Sequence, residues 1–321
     1  MKNVCIFGGT GFLGRYITQE LARSGYRIKV ATRMPEAAYD LKPSGNVGQV
    51  VPFQCDYKDP ESIEAAIKGC DVVINLVGIL FEKGKNKFTR VHAELPKTIA
   101  EISARQDVEK FIHVSAMGID ESKSKYAASK VEGETAIKEQ FSDATILRPS
   151  VVFGPGDGFF NMFAKLATLL PALPLIGGGK TKFQPVYVDD IAKAIGVIVN
   201  EPSNEYAGQI YALGGPEVVT FKEIYQRLFD QINRKRALIS LPWPIAKLQG
   251  AVFSLMPKPL LTKDQVVSLE SDNIIRNGDK TFKDLGIVPT AMAAILPDYL
   301  SCYKRGGRFC DKNVNKDSKA A

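Results

Sequence analysis

The chain is poor in the residues that build metal centres and covalent cross-links. Its 321 residues hold five cysteines, two histidines and one tryptophan. Cys5, Cys55, Cys70, Cys302 and Cys310 are scattered without metal-ligand spacing, and neither His92 nor His113 lies among them. The set argues against a zinc-ribbon type of site and fits free thiols in a reducing compartment, so no metal is expected. No uninterrupted apolar run is long enough to cross a bilayer. No leader-like stretch stands ahead of the first apolar run, and a cytoplasm-like compartment is the expectation. Acidic residues are the minority: 35 Asp and Glu face 42 Lys and Arg, giving a net charge of +7 and a pI near 9.0. The basic residues are spread along the chain without interleaved aromatics, so nucleic acid is not an expected partner. At 45% hydrophobic and 24% charged residues, the composition is that of a globular chain. The length suits one large α/β domain with a smaller lobe.

What the chain does have is glycine at one decisive place. The apolar run Val4 to Phe7 ends in Gly8, Gly11 and Gly14, and a helical pattern from Phe12 to Ala22 follows. This reads as a strand, a tight turn and a helix N-terminus. Gly8 lets the chain leave the strand, Gly11 lets a pyrophosphate approach the backbone, and Gly14 lets the helix pack close. Amides of the first helical turn and the helix dipole then face the phosphates. Thr10, Phe12 and Leu13 complete the contacts expected of the turn. A glycine turn alone is a weak signal; its position between a strand and a helix makes it stronger.

Strands then alternate with helices. Arg27 to Ala31, Val50 to Gln54, Asp71 to Leu76, Lys110 to Ser115 and Ala144 to Pro149 read as strands two to six. Helices are expected from about Pro60, over Val91 to Ala104, and from Tyr126 to Gln140. The pattern implies an α/β fold, a doubly wound Rossmann-type parallel sheet. Thr32-Arg33 stands at the end of strand two, where an acidic residue would bind NAD ribose hydroxyls. Arg33 can pair with a 2′-phosphate, so NADP(H) is expected over NAD(H). The alternative is a solvated loop charge. Asp56 is read as an acceptor for the adenine amino group, or as the flank of the helix near Pro60. Val77 and Gly78 leave room for the ribose, and Pro149 counts among the cofactor contacts. His113, in mid-strand, reads as a packed core side chain. Tyr126 and Lys130, four apart on one helical face, match a dehydrogenase-type pair. There the ammonium lowers the phenol pKa and holds ribose, and the phenol exchanges a proton at a substrate oxygen.

Residues 1–150 are read as the dinucleotide-binding core, 151–303 as a smaller mixed C-terminal lobe interleaved with it, and 304–321 as a polar basic tail, disordered or partner-bound. In the lobe, helices are expected over Phe159 to Leu170, Phe221 to Ile232 and Ile245 to Met256. Strands are expected over Phe183 to Val188 and Gln209 to Leu213, with Asp189 capping the helix that follows. Pro171 to Pro174 and Gly177 to Gly179 read as loops. Ile245, Leu248, Val252 and Leu255 recur at helical spacing after Trp243. That stripe either packs on the lobe or lies on a membrane or partner subunit, through residues 241–256.

Together, Gly8 to Gly14, Val73 to Gly78, Phe111 to Ser115 and Gln184 to Asp189 resemble the dinucleotide-binding accessory subunit of respiratory complex I. That family is an atypical, extended branch of the short-chain dehydrogenase/reductases. The resemblance covers about residues 1–300. It implies a tightly held NADPH, complex I-type partners, and a peripheral place near the quinone entry. The lack of a transit peptide points to a bacterial member, on the cytoplasmic face of the inner membrane. Active members of the extended branch carry a serine or threonine after strand five. The matching position here is Ala116, with Ser115 one residue early and Ser122 or Ser124 as possible substitutes. The expectation is an NADP(H)-binding accessory or assembly subunit with little or no turnover. The alternative is an NADP-dependent reductase or epimerase acting on a quinone precursor or sugar nucleotide, with Tyr126, Lys130 and Ser115 as its catalytic residues.

Overall fold

The computed structural model describes residues 2–254, 256 and 259–307. The first half runs β1 (Asn3–Phe7), α1 (Phe12–Arg23), β2 (Arg27–Thr32), β3 (Val50–Gln54), α2 (Pro60–Ile67), β4 (Val72–Asn75), α3 (Leu95–Arg105), β5 (Lys110–Val114), α4 (Lys125–Gln140) and β6 (Thr145–Pro149). The second half continues with β7 (Val152–Phe153), α5 (Phe160–Leu169), β8 (Ala172–Ile176), β9 (Lys182–Phe183), β10 (Val186–Tyr187), α6 (Val188–Asn200), β11 (Ile210–Leu213), β12 (Val219–Thr220), α7 (Phe221–Gln231), β13 (Ala237–Leu241), α8 (Trp243–Phe253), α9 (Lys263–Ser268) and α10 (Met292–Leu300).

Seven parallel strands form the central sheet in the order β11-β6-β5-β4-β1-β2-β3. Strands β4 and β5 are buried along their whole length because helices cover both faces. One face packs β1, β2 and β4 against α1 and α6 through Ile17, Leu21, Ile191 and Ile195. The other packs α2, α3 and α4 through Ile63, Ile99 and Ile137. Lys110, a lysine inside a buried strand, is accommodated by a helix end. Its Nζ donates to the carbonyls of Ile198, at 2.8 Å, and Glu201, where α6 leaves unpaired acceptors. Strand order reverses between β1 and β4, so a crevice opens at their C-terminal ends, the usual place for a ligand in a doubly wound sheet.

Several local expectations are corrected. The single strand over Phe183 to Val188 is two short pieces, β9 and β10, because Pro185 supplies no ladder donor. Pro171 to Pro174 is not a loop: Ala172–Ile176 is β8, paired in parallel with β13. Asp189 does not cap α6. Tyr187 occupies the cap position, and Asp189 lies in the first turn with Lys193 at 3.0 Å. Its neighbour Asp190 is buried and accepts from the Thr290 amide and hydroxyl.

The lobe has its own aromatic core, with Phe160, Phe221 and Tyr225 at its centre. Asp157 ties it together, accepting from the Tyr299 hydroxyl at 2.6 Å and from the Asn161 and Gly154 amides. Helix α8 is oriented opposite to an inward apolar stripe. Its buried residues are Ala246 and Gly250, which let it lie against the start of α9. Ile245, Leu248 and Val252 are 54%, 68% and 56% exposed. Leu255 and the stretch 308–321, which includes Cys310 and most of the tail, lie outside the described residues.

Trp243 anchors α8 by lying on Gly177, a residue with φ of +58° where an added Cβ would meet the indole at 2.1 Å. Gly177→Ala therefore combines backbone strain with a collision and should cost about 1–3 kcal/mol of stability. Thermal unfolding measures that loss. A red-shifted emission from the lone tryptophan should accompany it; an unshifted spectrum with unchanged stability would contradict the packing.

Candidate functional site

The glycine turn is built by backbone contact. Gly8 has φ of +81°, and a Cβ on Gly14 would lie 2.5 Å from the Gly9 backbone. Gly11 is the N-cap of α1, has no side chain to cap the helix, and no acidic residue stands in the first turn. Thr10, Phe12 and Leu13 are half-buried around it, and Phe12 meets Tyr16 edge to face. A helix N-terminus left without a carboxylate or hydroxyl cap suits an anionic ligand.

Across the crevice, Val77 and Gly78 follow β4. The Val77 amide donates to Asn75 Oδ1 at 3.1 Å. A Cβ on Gly78 would stand 3.6 Å from Lys130 Nζ and 3.7 Å from His92 Nε2. Those are ordinary contacts, so the protein itself does not require glycine there. Lys130 Nζ is buried and donates to the Val114 carbonyl at 3.2 Å. Burial lowers its pKa to about 8, against the raising effect of Glu134. Tyr126 opens α4 beside it. Burial pushes its phenol up to about 12, and no ammonium counteracts this.

The partner that sequence reasoning missed is His92. It lies in a π-helical turn, Thr89–Glu94, that leads into α3. Gly133 on α4 makes room for that turn: a Cβ there would sit 1.8 Å from the His92 carbonyl oxygen. A glycine inside a helix is the only sequence signal of the contact. Ser129 Oγ donates to the Tyr126 carbonyl at 2.7 Å, so His92 Nδ1 donates to Ser129 at 2.9 Å. Nε2 then accepts from the Ile79 amide at 3.0 Å. The ring is neutral, held at about 3 by burial and by repulsion from Lys130. It stacks on Phe88 and meets Tyr126 edge-on at 5.2 Å, so the tyrosine stands in an aromatic wall.

His113 is a core residue, fully buried, with Nδ1 accepting from Asn75 at 3.2 Å. Burial holds it well below the ordinary imidazole range. Its Nε2 and the Ser115 hydroxyl, two residues on, are buried without a partner among the described residues. Ala116 is half-exposed. Ser122 and Ser124 are engaged locally at the start of α4. Ser124 caps α4, accepting from the Ala127 amide and from Ser122. Pro149 is buried at the end of β6, and its carbonyl accepts from Met117.

At the far end of the crevice, Arg33 is exposed and enters no ion pair among the described residues. Its guanidinium lies over the Tyr57 ring, 5.7 Å from the centroid. Asp56 is exposed, and its Oδ1 accepts from the Lys58 amide at 3.1 Å, a local turn. Asp59 caps the helix that starts at Pro60, and Asp56 stands on its flank, its carbonyl accepting from the Asp59 amide. Among the described residues no cluster could hold a metal, the cysteines are unpaired, and no helix is long and apolar enough to cross a membrane.

Residues 4–214 match the family described as NAD dependent epimerase/dehydratase family. The chain is 34% identical over 314 residues to the Arabidopsis thaliana NADH dehydrogenase [ubiquinone] 1 alpha subcomplex subunit 9, mitochondrial, covering 94% of this chain and 78% of that one. It is 35% identical to the protein of the same name from Rattus norvegicus, covering 89% and 76%. Among solved structures it resembles an Escherichia coli NADPH-dependent quinone oxidoreductase in complex with NADPH. That likeness has a TM-score of 0.72 and 19% identity over 93% of this chain and 98% of that one, and it speaks to the fold alone.

The buried lysine makes a signed prediction. Its folded pKa of about 8 lies below the ordinary 10.5, so between those pH values the unfolded chain binds more protons. Stability of the nucleotide-free protein therefore rises with pH across that window. Relative to Lys130→Met, the wild type should gain about 3 kcal/mol from pH 8 to 10.5. Denaturant titrations at both limits measure it; parallel pH profiles would contradict the burial of a strained ammonium.

Proposed function

The chain belongs to the NAD dependent epimerase/dehydratase family, and from that premise we propose that it is an NADP(H)-binding accessory or assembly subunit of a complex I-type NADH:quinone oxidoreductase, with little or no turnover of its own. The partners follow from the two relatives above, which are named as NADH dehydrogenase subunits and match most of the chain. Its place would be peripheral, on the cytoplasmic face of the inner membrane.

The residues present fit the nucleotide. The uncapped amides at Gly11 to Gly14 take the pyrophosphate, with Gly8, Thr10, Phe12 and Leu13 shaping the turn. The free guanidinium of Arg33 takes the 2′-phosphate, which is why NADP(H) is chosen over NAD(H). Asp56 faces adenine. Val77, Gly78, Tyr126, Lys130 and Pro149 form the ribose and nicotinamide end. When bound, such a cofactor supplies hydride chemistry.

The observation that carries the low-turnover reading is the state of Tyr126. Its phenol stands at about 12, and the polar position after β5 is Ala116. A proton donor is most effective near the working pH. Lys130 and Tyr126 here act as binding groups. The second reading, a reductase or epimerase, keeps one specific support: both members of the pair stand on one face of α4, with Ser115 buried nearby.

The native protein, taken from membranes in mild detergent, decides between them. Near-stoichiometric NADPH and quinone-reductase subunits should accompany it. A free protein that exchanges NADP(H) within seconds would move the assignment to the reductase. The exposed stripe on α8 is the proposed contact with membrane or subunit. Leu248→Glu combined with Val252→Glu should release the protein from membranes while leaving nucleotide content and melting temperature unchanged; retention would remove α8 from the contact.

A further inference from the structure

We infer that Tyr57 is the positioning residue that gives this site its preference for a 2′-phosphorylated nucleotide. This rests on the reading of Arg33 as the phosphate ligand. Tyr57 follows Asp56 in the loop after β3, and four contacts converge on it. Its hydroxyl donates to the Ala31 carbonyl at 2.7 Å, at the C-terminal end of β2. The same oxygen accepts from the Gly8 amide at 3.3 Å, at the start of the glycine turn. Its ring packs on Phe7, with centroids 5.9 Å apart, and carries the Arg33 guanidinium on a face. Tyr57 thus bolts the end of β2 to the turn and offers the arginine a platform between them.

The platform matters because Arg33 is otherwise unrestrained. An exposed arginine without an ion pair samples many rotamers, and ordering it on binding carries an entropic cost. A ring beneath the guanidinium reduces that cost while leaving its N–H groups free for a phosphate. The phenol stays protonated, pushed up to about 12 by burial, so the latch does not titrate in the working range. Seating affects only the ligand that Arg33 reads. It therefore alters the ratio of NADPH to NADH affinity, which a general loss of packing leaves alone.

The test is titration of the full-length chain, stripped of nucleotide, with NADPH and with NADH. Arg33→Ala sets the scale and should reduce the affinity ratio by more than about tenfold. Tyr57→Leu should reduce it by about threefold, the size of an exposed cation–π contact. Tyr57→Phe, which keeps the ring, should hold the wild-type ratio even if both affinities fall together. A wild-type ratio in Tyr57→Leu beside a collapsed ratio in Arg33→Ala overturns the inference alone. A ratio lost in Tyr57→Phe overturns it too, and this arm serves if the leucine variant does not fold. A wild-type chain with no preference overturns the phosphate reading of Arg33, and the inference with it.

Discussion

The whole arrangement depends on how closely α1 approaches the end of β1. Gly14 sits where any side chain would strike the Gly8 and Gly9 backbone, and Gly8 turns with positive φ against Leu76 and Val77. Three segments thereby meet at the point where the strand order reverses. With a Cβ at Gly14 the helix would be forced off the turn, and its first amides would no longer point into the crevice. The same compactness explains why α1 carries no capping side chain. The dipole end is left open toward the crevice, an arrangement suited to an anionic ligand.

The sheet was legible in the sequence because buried parallel strands are continuous apolar runs bounded by turns. Cys5-Ile6-Phe7, Val72-Val73-Ile74 and Phe111-Ile112 need no tertiary context to be read. What escaped was structure held by contacts between distant segments. β8 follows Pro171 and contains Pro174, yet it pairs with β13 more than sixty residues later. Local composition gives no hint of that partner. The Asp189 cap was a reasonable reading of an acidic residue at a helix start, but its neighbour Asp190 is the one held by Thr290, a hundred residues on. In the candidate site, spacing alone singles out the glycines, Arg33, Tyr126 and Lys130 as candidates. It does not single out His92 and Tyr57, since each is defined by what it touches across the fold.

Burial is the common cause of the site's electrostatics. It raises Tyr126, lowers Lys130 and keeps His92 and His113 neutral. Tyr126 and the two histidines are neutral near pH 7, whereas Lys130, at about 8, keeps its charge there. That charge is engaged by the Val114 carbonyl.

Helix α8 shows the opposite use of burial. In an ordinary surface helix the large apolar residues face the core and small or polar ones face water. Here Ala246 and Gly250 face inward because α9 approaches too closely for anything larger, and a Cβ on Gly250 would lie 2.8 Å from the Lys263 amide. The large residues Ile245, Leu248 and Val252 are consequently left outside. Trp243, locked over Gly177, fixes the helix so that it cannot roll and hide them. Leaving such a stripe in water forgoes roughly 1.5–3 kcal/mol for each side chain that a covering surface would bury. The fold does not recover that energy among its described residues. On the proposed reading, a lipid surface or a neighbouring subunit is where it would be recovered.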